Sequence, residues 1–207
     1  HPDLNHSLHN LPSPDKTGLF RWLVEERDAC GVGFLADLNG SSSHELVRDS
    51  LAALRCLEHR GGCSADFDSG DGAGIMTGIP WLLFREWTTT QGLPHLHQAT
   101  TGVGMVFLPP DPTDAARARE LIEGVFIAEG LTTLGWRVVP CHSESLGAQA
   151  GQNKPQIEQV LVRAMVEGDA LERLLYLVRK RIHQTAGDLT HCSGWAQNLY
   201  ICSLSNR

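Results

Sequence analysis

Apolar residues along the chain recur at two spacings, one helical and one alternating or continuous, and the change from one to the other marks the elements. Val47, Leu51, Leu54 and Leu57 lie on one helical face, after a turn at Asn39-Gly40 and Ser41-Ser42-Ser43. That helix is predicted to end at the corner His59-Arg60-Gly61-Gly62. The stretches 31–36 and 72–79 read as short strands, the first packing through Phe34 and Leu35. Pro80 suits the first turn of a helix over 81–87, and a polar loop over 88–101 leads into a strand over 103–108. Pro109, Pro110 and Pro112 stop that strand, after which Ala118, Leu121, Ile122, Val125 and Phe126 form a helical stripe. A strand over 136–139, a loop over 147–155 and a strand over 156–162 follow. Leu171, Leu174, Leu175, Val178 and Ile182 then place a helix over 169–186, with Gly187 positioned to close it. The last strand, 198–204, is expected to find its partner in sequence that follows.

Residues 1–29 break this order. They are rich in His, Asn, Pro and Asp, with one apolar patch at Leu19-Phe20 and Trp22-Leu23-Val24. Either this is a loose terminus or it is a leader whose patch docks on the domain until it is cut away.

Composition narrows the function classes. The 207 residues, 42% apolar, suffice for one large domain or two small ones. With 17 basic and 24 acidic side chains the net charge is −7, which argues against nucleic acid or an anionic membrane as the main partner and favours small molecules or proteins. No apolar run approaches the roughly 18 residues of a membrane span, and the leader has no signal-peptide core, so a soluble, intracellular protein is expected. The six cysteines (30, 56, 63, 141, 192 and 202) contain no Cys-x-x-Cys pair and predict reduced thiols rather than a disulfide framework. Residue 1 is His, so at least a start residue is expected upstream.

Polarity changes abruptly at Cys30, between the solvated Glu25-Glu26-Arg27-Asp28 and the small apolar run that begins at Gly31. A chain cut before Cys30 would carry a thiol and a free α-amine on one residue. Their ordinary pKa values, about 8.5 and about 7.7 to 8.0, are close enough for the amine to take the thiol proton near neutral pH. A cysteine before a glycine is more often a small buried hydrophobe, and its neighbours must decide.

Those neighbours carry a resemblance. Cys30-Gly31-Val32-Gly33-Phe34, then Leu54-Arg55-Cys56-Leu57-Glu58-His59-Arg60-Gly61-Gly62-Cys63-Ser64-Ala65-Asp66, then Ser69-Gly70-Asp71-Gly72-Ala73-Gly74-Ile75 resemble the glutaminase domain at the start of glutamate synthase. The Gly62-Cys63 form of the middle block is similar to the ferredoxin-dependent type, and Tyr200-Ile201-Cys202-Ser203-Leu204-Ser205 extends the likeness toward the end. The resemblance implies a class II amidotransferase whose cysteine becomes the N-terminus when a propeptide is removed; here 29 residues precede it. It implies attack of the Cys30 thiolate on the side-chain amide of L-glutamine, release of ammonia, and hydrolysis of a γ-glutamyl thioester, with the α-amine of Cys30 as base.

Other motifs compete. Residues 69–74 invite a phosphate-loop reading but lack Gly-Lys-Ser/Thr, and 31–36 match a loose dinucleotide fingerprint with no strand before them and a turn after them. A loop passing close to the nucleophile and a plain turn into a strand account for 69–74 equally well. His59 and Arg60 read as a general base and a carboxylate clamp, or Arg60 braces its corner by pairing with Asp66, Asp68 or Asp71. His95-x-His97 and His191-Cys192 lack third and fourth ligands at a recognisable spacing and are read as loop residues.

The expected fold is α+β, an N-terminal nucleophile hydrolase with two antiparallel sheets layered between helices (four layers, α/β/β/α), incomplete in these 207 residues. Residues 1–29 are the expected leader and 30–207 the first part of the amidotransferase domain. Cys30 is the expected catalytic residue, and Gly31, His59, Arg60, Gly61, Asp71 and Gly72 are expected to line its site. By the resemblance, the oxyanion hole and the glutamine carboxylate clamp come from an Arg-containing segment and an Asn-Gly pair beyond residue 207; Asn39-Gly40 stands too early to serve. No cofactor is expected within these residues, while FMN, an iron–sulfur cluster, the synthase domains and ferredoxin are implied for the full-length protein. A cytoplasmic location is expected, with the plastid stroma as alternative. From another class, the chain reads as a non-catalytic, unprocessed folding or docking module whose thiol never becomes an N-terminus.

Overall fold

The computed structural model describes residues 31–57, 69–70, 72–190 and 193–207. They belong to two compact units, His1–Gly62 with Asp71–Ala73, and Cys63–Gly70 with Gly74–Arg207.

In the first unit the expected helix is present as α1, His44–Cys56. Ser43 caps it by accepting the Leu46 N–H, and Glu45 and Arg55 sit at the ends where the helix dipole favours their charges. The turn before it is built as expected: Gly40 has a positive φ of 70° and donates to the Asp37 carbonyl. Val47, Leu54 and Leu57 are half-buried, but no residue of α1 is fully buried. The strand expected over 31–36 is irregular chain, and Phe34, predicted to pack, is 92% exposed. The strand expected over 72–79 is likewise irregular, its first two residues lying in this unit and the rest in the second. A strand needs a neighbour to complete its ladder, and no described strand pairs with either segment.

The second unit is one antiparallel sheet with helices on both faces. Its elements are α2 (Trp81–Thr90), β1 (Thr101–Leu108), α3 (Pro112–Ala128), β2 (Thr132–Val138), α4 (Ala148–Gln152), β3 (Gln156–Arg163), α5 (Gly168–Leu189) and β4 (Tyr200–Ser205). The sheet order is β2-β3-β1-β4, with Thr101 opposite Arg163 and Leu108 opposite Gln156. One face carries Val106, Leu108, Val160, Val162, Ile201 and Leu204 against α3 and α5. The other carries Val103, Leu134 and Leu161 against Phe84 of α2 and Leu96. Because both faces are covered, β1 reads as a continuous apolar run rather than an alternation.

Glycine in β1 marks how closely α5 approaches. A Cβ at Gly102 would stand 2.7 Å from Leu175 Cδ2. The prolines act at both ends of the β1–α3 connection. Pro112 is the first residue of α3, where its missing N–H costs nothing, and Asp111 caps the helix by accepting from Thr113 and Asp114.

Three further expectations are corrected. Gly187 does not end α5, which continues to Leu189; Gly187 is not among the glycines with positive φ and so does not take the left-handed conformation by which glycine closes a helix. The stretch 147–155 contains the short helix α4. The last strand pairs with β1, an earlier strand, across a bulge at Met105/Val106. No helix among the described residues is long and apolar enough to cross a membrane.

Candidate functional site

Cys30, His59, Arg60, Gly61 and Asp71 lie outside the described residues, as do Asp66, Asp68, His191 and Cys192. Gly31 and Gly72 are described, both exposed and both in the first unit. A Cβ built on Gly31 would meet Leu57 Cδ2 at 3.2 Å, so Leu57 rests against the Gly31 backbone. Leu57 is the C-cap of α1. The fold therefore brings the residue that follows Cys30 in sequence onto the end of the helix that leads to His59 and Arg60, 26 positions later by numbering. Any side chain at position 31 would have to displace Leu57 by a few tenths of an ångström.

Gly72 is different. A Cβ there, or at Gly74, would meet no atom within 4 Å, so the described packing does not account for glycine at either position. Ser69, which opens the same run, is buried, and its hydroxyl accepts the Ala150 N–H at 3.0 Å. Gly147 at the start of α4 has no side chain with which to cap it, and Ser69 takes that role from 81 residues away. No local signal in the sequence could have shown that pairing.

His95 and His97 sit in a loop with their rings edge-on, centroids 5.0 Å apart. Cys56, Cys141 and Cys202 are exposed rather than sunk in apolar surroundings. In the second unit a groove of about 640 Å³ runs between α3 and α5 over Leu121, Val125 and Trp195, flanked by Arg117 and Arg181. A smaller hollow of about 480 Å³ lies beside His97, Arg163 and Met165. Neither contains a cysteine or serine nucleophile beside a base. Among the described residues, Arg119, remote from Gly31 in sequence, is held above its ordinary pKa, first by its hydrogen bond to Glu158 and then by the charges of Glu158 and Glu123, against the opposing effect of burial.

The sequence has clear relatives. It is 49% identical over 187 residues to the chloroplastic ferredoxin-dependent glutamate synthase of Oryza sativa subsp. japonica, covering 89% of this chain and 11% of that protein. It is 51% identical over 188 residues to ferredoxin-dependent glutamate synthase 2 of Synechocystis sp., covering 90% and 12%. Against the chloroplastic enzyme of Spinacia oleracea the identity is 47% over 187 residues, covering 89% and 11%. The chain thus spans only about a ninth of the length of these relatives. The family model of class-II glutamine amidotransferases matches residues 30–207, from Cys30 to the last residue, and the chain belongs to that family.

Proposed function

We propose that these residues form the first part of a glutaminase domain in a ferredoxin-dependent glutamate synthase, with Cys30 as an N-terminal nucleophile once residues 1–29 are removed. The observation that carries the reading is that the family match begins at Cys30 itself. The α-amine takes the thiol proton, and the thiolate attacks the carboxamide carbon of glutamine to form a tetrahedral adduct. That adduct collapses as the ammonium form of the base protonates the leaving nitrogen, leaving a γ-glutamyl thioester and ammonia. Water, deprotonated by the same amine, attacks the thioester carbonyl; glutamate departs and the thiol is restored. Gly31, His59, Arg60, Gly61, Asp71 and Gly72 line the site. The contact of Gly31 with Leu57 supports this grouping, because it holds the two sequence neighbourhoods together.

The complete domain is proposed to add a second antiparallel sheet, giving four layers, and to supply the oxyanion hole and the α-carboxylate clamp from beyond residue 207. In the full-length protein the ammonia would pass to synthase domains of the same chain and react with 2-oxoglutarate, ferredoxin supplying electrons. FMN and an iron–sulfur cluster belong to that part. The described residues bring together no group of three or more His, Cys, Asp or Glu side chains fit to hold a metal centre, and no step is derived through either group. The cytoplasm, or alternatively the plastid stroma, is the proposed location; two of the relatives are named chloroplastic.

N-terminal sequencing of the mature full-length protein tests processing, with Cys-Gly-Val-Gly-Phe expected. Cys30→Ala in that protein is expected to abolish glutamine-dependent glutamate formation. Retained glutaminase activity in the variant would overturn the assignment.

A further inference from the structure

The chain is acidic overall, but the outer face of α5 is not. Between Arg173 and Gly187 the helix has no Asp or Glu, while Arg173, Arg179, Lys180 and Arg181 are all basic. The core side of the helix is taken by Leu171, Leu175, Val178, Ile182 and Ala186. Arg173, Tyr176, Leu177, Lys180, Arg181 and Gln184 are therefore left facing solvent, at spacings of three and four that make one stripe. Two of the cations are engaged locally, Arg181 with Glu129 and Arg179 with the Cys202 carbonyl. Arg173 and Lys180 have no carboxylate partner among the described residues. Lys180 Nζ instead lies 5.6 Å from the centre of the Tyr176 ring. Tyr176 is 52% exposed and Leu177 61%, so an apolar centre lies beside the cations Arg173 and Lys180. That is the layout of an interface: an apolar centre to bury and a charged rim that selects the partner's sign.

We infer that this face of α5 docks on an acidic surface of the rest of the full-length polypeptide, a proposal that rests on the reading that these residues are part of a longer chain. Charge identifies the chemistry, because Arg173 and Lys180 are cations without a carboxylate partner among the described residues, and Asp and Glu complement them, although Asp169 and Asp188 stand at the two ends of the stripe. Size identifies the source. Six side chains fall far short of the roughly 20 to 30 residues a side that a stable bimolecular interface uses. A covalently attached partner needs much less, since the tether supplies an effective concentration on the order of millimolar. The relatives, about nine times longer than the matched region, have ample polypeptide to supply it.

Zero-length carbodiimide coupling of the full-length protein, prepared as a mixture of ordinary and nitrogen-15-labelled copies, tests the inference. The expected product joins Lys180 to an Asp or Glu beyond position 207 within one isotopic copy. In an Arg173→Glu/Leu177→Asp variant its yield is expected to fall about tenfold, as each 1.4 kcal/mol of lost docking energy is a factor of ten. Coupling of Lys180 only to carboxylates of residues 1–207, coupling only between isotopic copies, or no coupling together with acetylation of Lys180 as fast as in the unfolded protein would each overturn it. N-terminal sequencing of the same sample reports separately on the Cys30 reading, so failure of one is not failure of the other.

Discussion

Arg119 of α3 grips Glu158 of β3 with both arms of its guanidinium, Nε donating to Oε2 at 2.9 Å and Nη2 to Oε1 at 2.5 Å. Glu158 is 4% exposed on the sheet face that α3 covers, so this pair ties helix to sheet at a place where a carboxylate without its partner is costly.

Removing the arginine alone is therefore expected to be costly. Arg119→Leu leaves a buried charge, worth about 3 kcal/mol at the low end of the usual range because the Arg119 side chain still meets water at one edge. Hydrogen exchange of β3 amides should quicken by about 100-fold in that variant, and far less in Arg119→Met/Glu158→Leu, where both charges go. Since the pKa of Arg119 is raised, its contribution is fully present below the ordinary arginine pKa and is lost only as pH rises through the folded one, so the wild-type effect is flat across neutral pH.

Close packing of α5 on β1 makes a second prediction. Gly102→Ala places a methyl 2.7 Å from Leu175 Cδ2 and 2.8 Å from Cδ1, and is expected to destabilise by about 1 to 3 kcal/mol. Gly102→Ala combined with Leu175→Ala should cost less than the two single changes added, because the shorter side chain makes room. Thermal unfolding of the four proteins measures the cycle.

The proposed mechanism makes a third. While Ala29 is joined to Cys30 the nitrogen is an amide and cannot accept a proton near neutral pH. One uncleavable residue placed before Cys30 in the mature full-length enzyme is expected to leave the thiol intact and eliminate glutamine hydrolysis. The pH profile of the unmodified enzyme should show an ionisation near 7.7 to 8.0, roughly that of an α-amine, rather than near the 6.5 of an imidazole. Full activity of the extended enzyme would transfer the role of base to a side chain, His59 first.

A fourth concerns these 207 residues by themselves. Loss of one oxyanion-hole donor costs acyl-transfer enzymes about 100- to 1,000-fold, and here both the hole and the carboxylate clamp are assigned to later sequence. A polypeptide of residues 1–207 is expected to hydrolyse glutamine at no measurable rate; turnover near that of the full domain would mean that those groups lie within it.

Much of this protein was decided locally. The stripes Val47–Leu57 and Leu171–Ile182, the prolines after Leu108 and the Asn39-Gly40 turn each act within a few residues, so α1, α5, the end of β1 and the turn are legible in the sequence. The family was legible too, because Cys30-Gly31-Val32-Gly33-Phe34 and the two blocks that follow it belong to the order of residues itself. What the sequence alone could not decide depends on partners far along the chain. Apolar character at 31–36 and 72–79 predicted strands, but a strand exists only with a neighbour, and no described strand pairs with either. Gly102 looks like a weak point in β1 until Leu175 is seen above it, and Glu158 like a surface residue until Arg119 reaches it from 39 positions away. Ser69 capping Ala150 and Leu57 lying on Gly31 are of the same kind. Periodicity reports which face of an element is apolar; which other face it meets is settled only when the whole chain has packed.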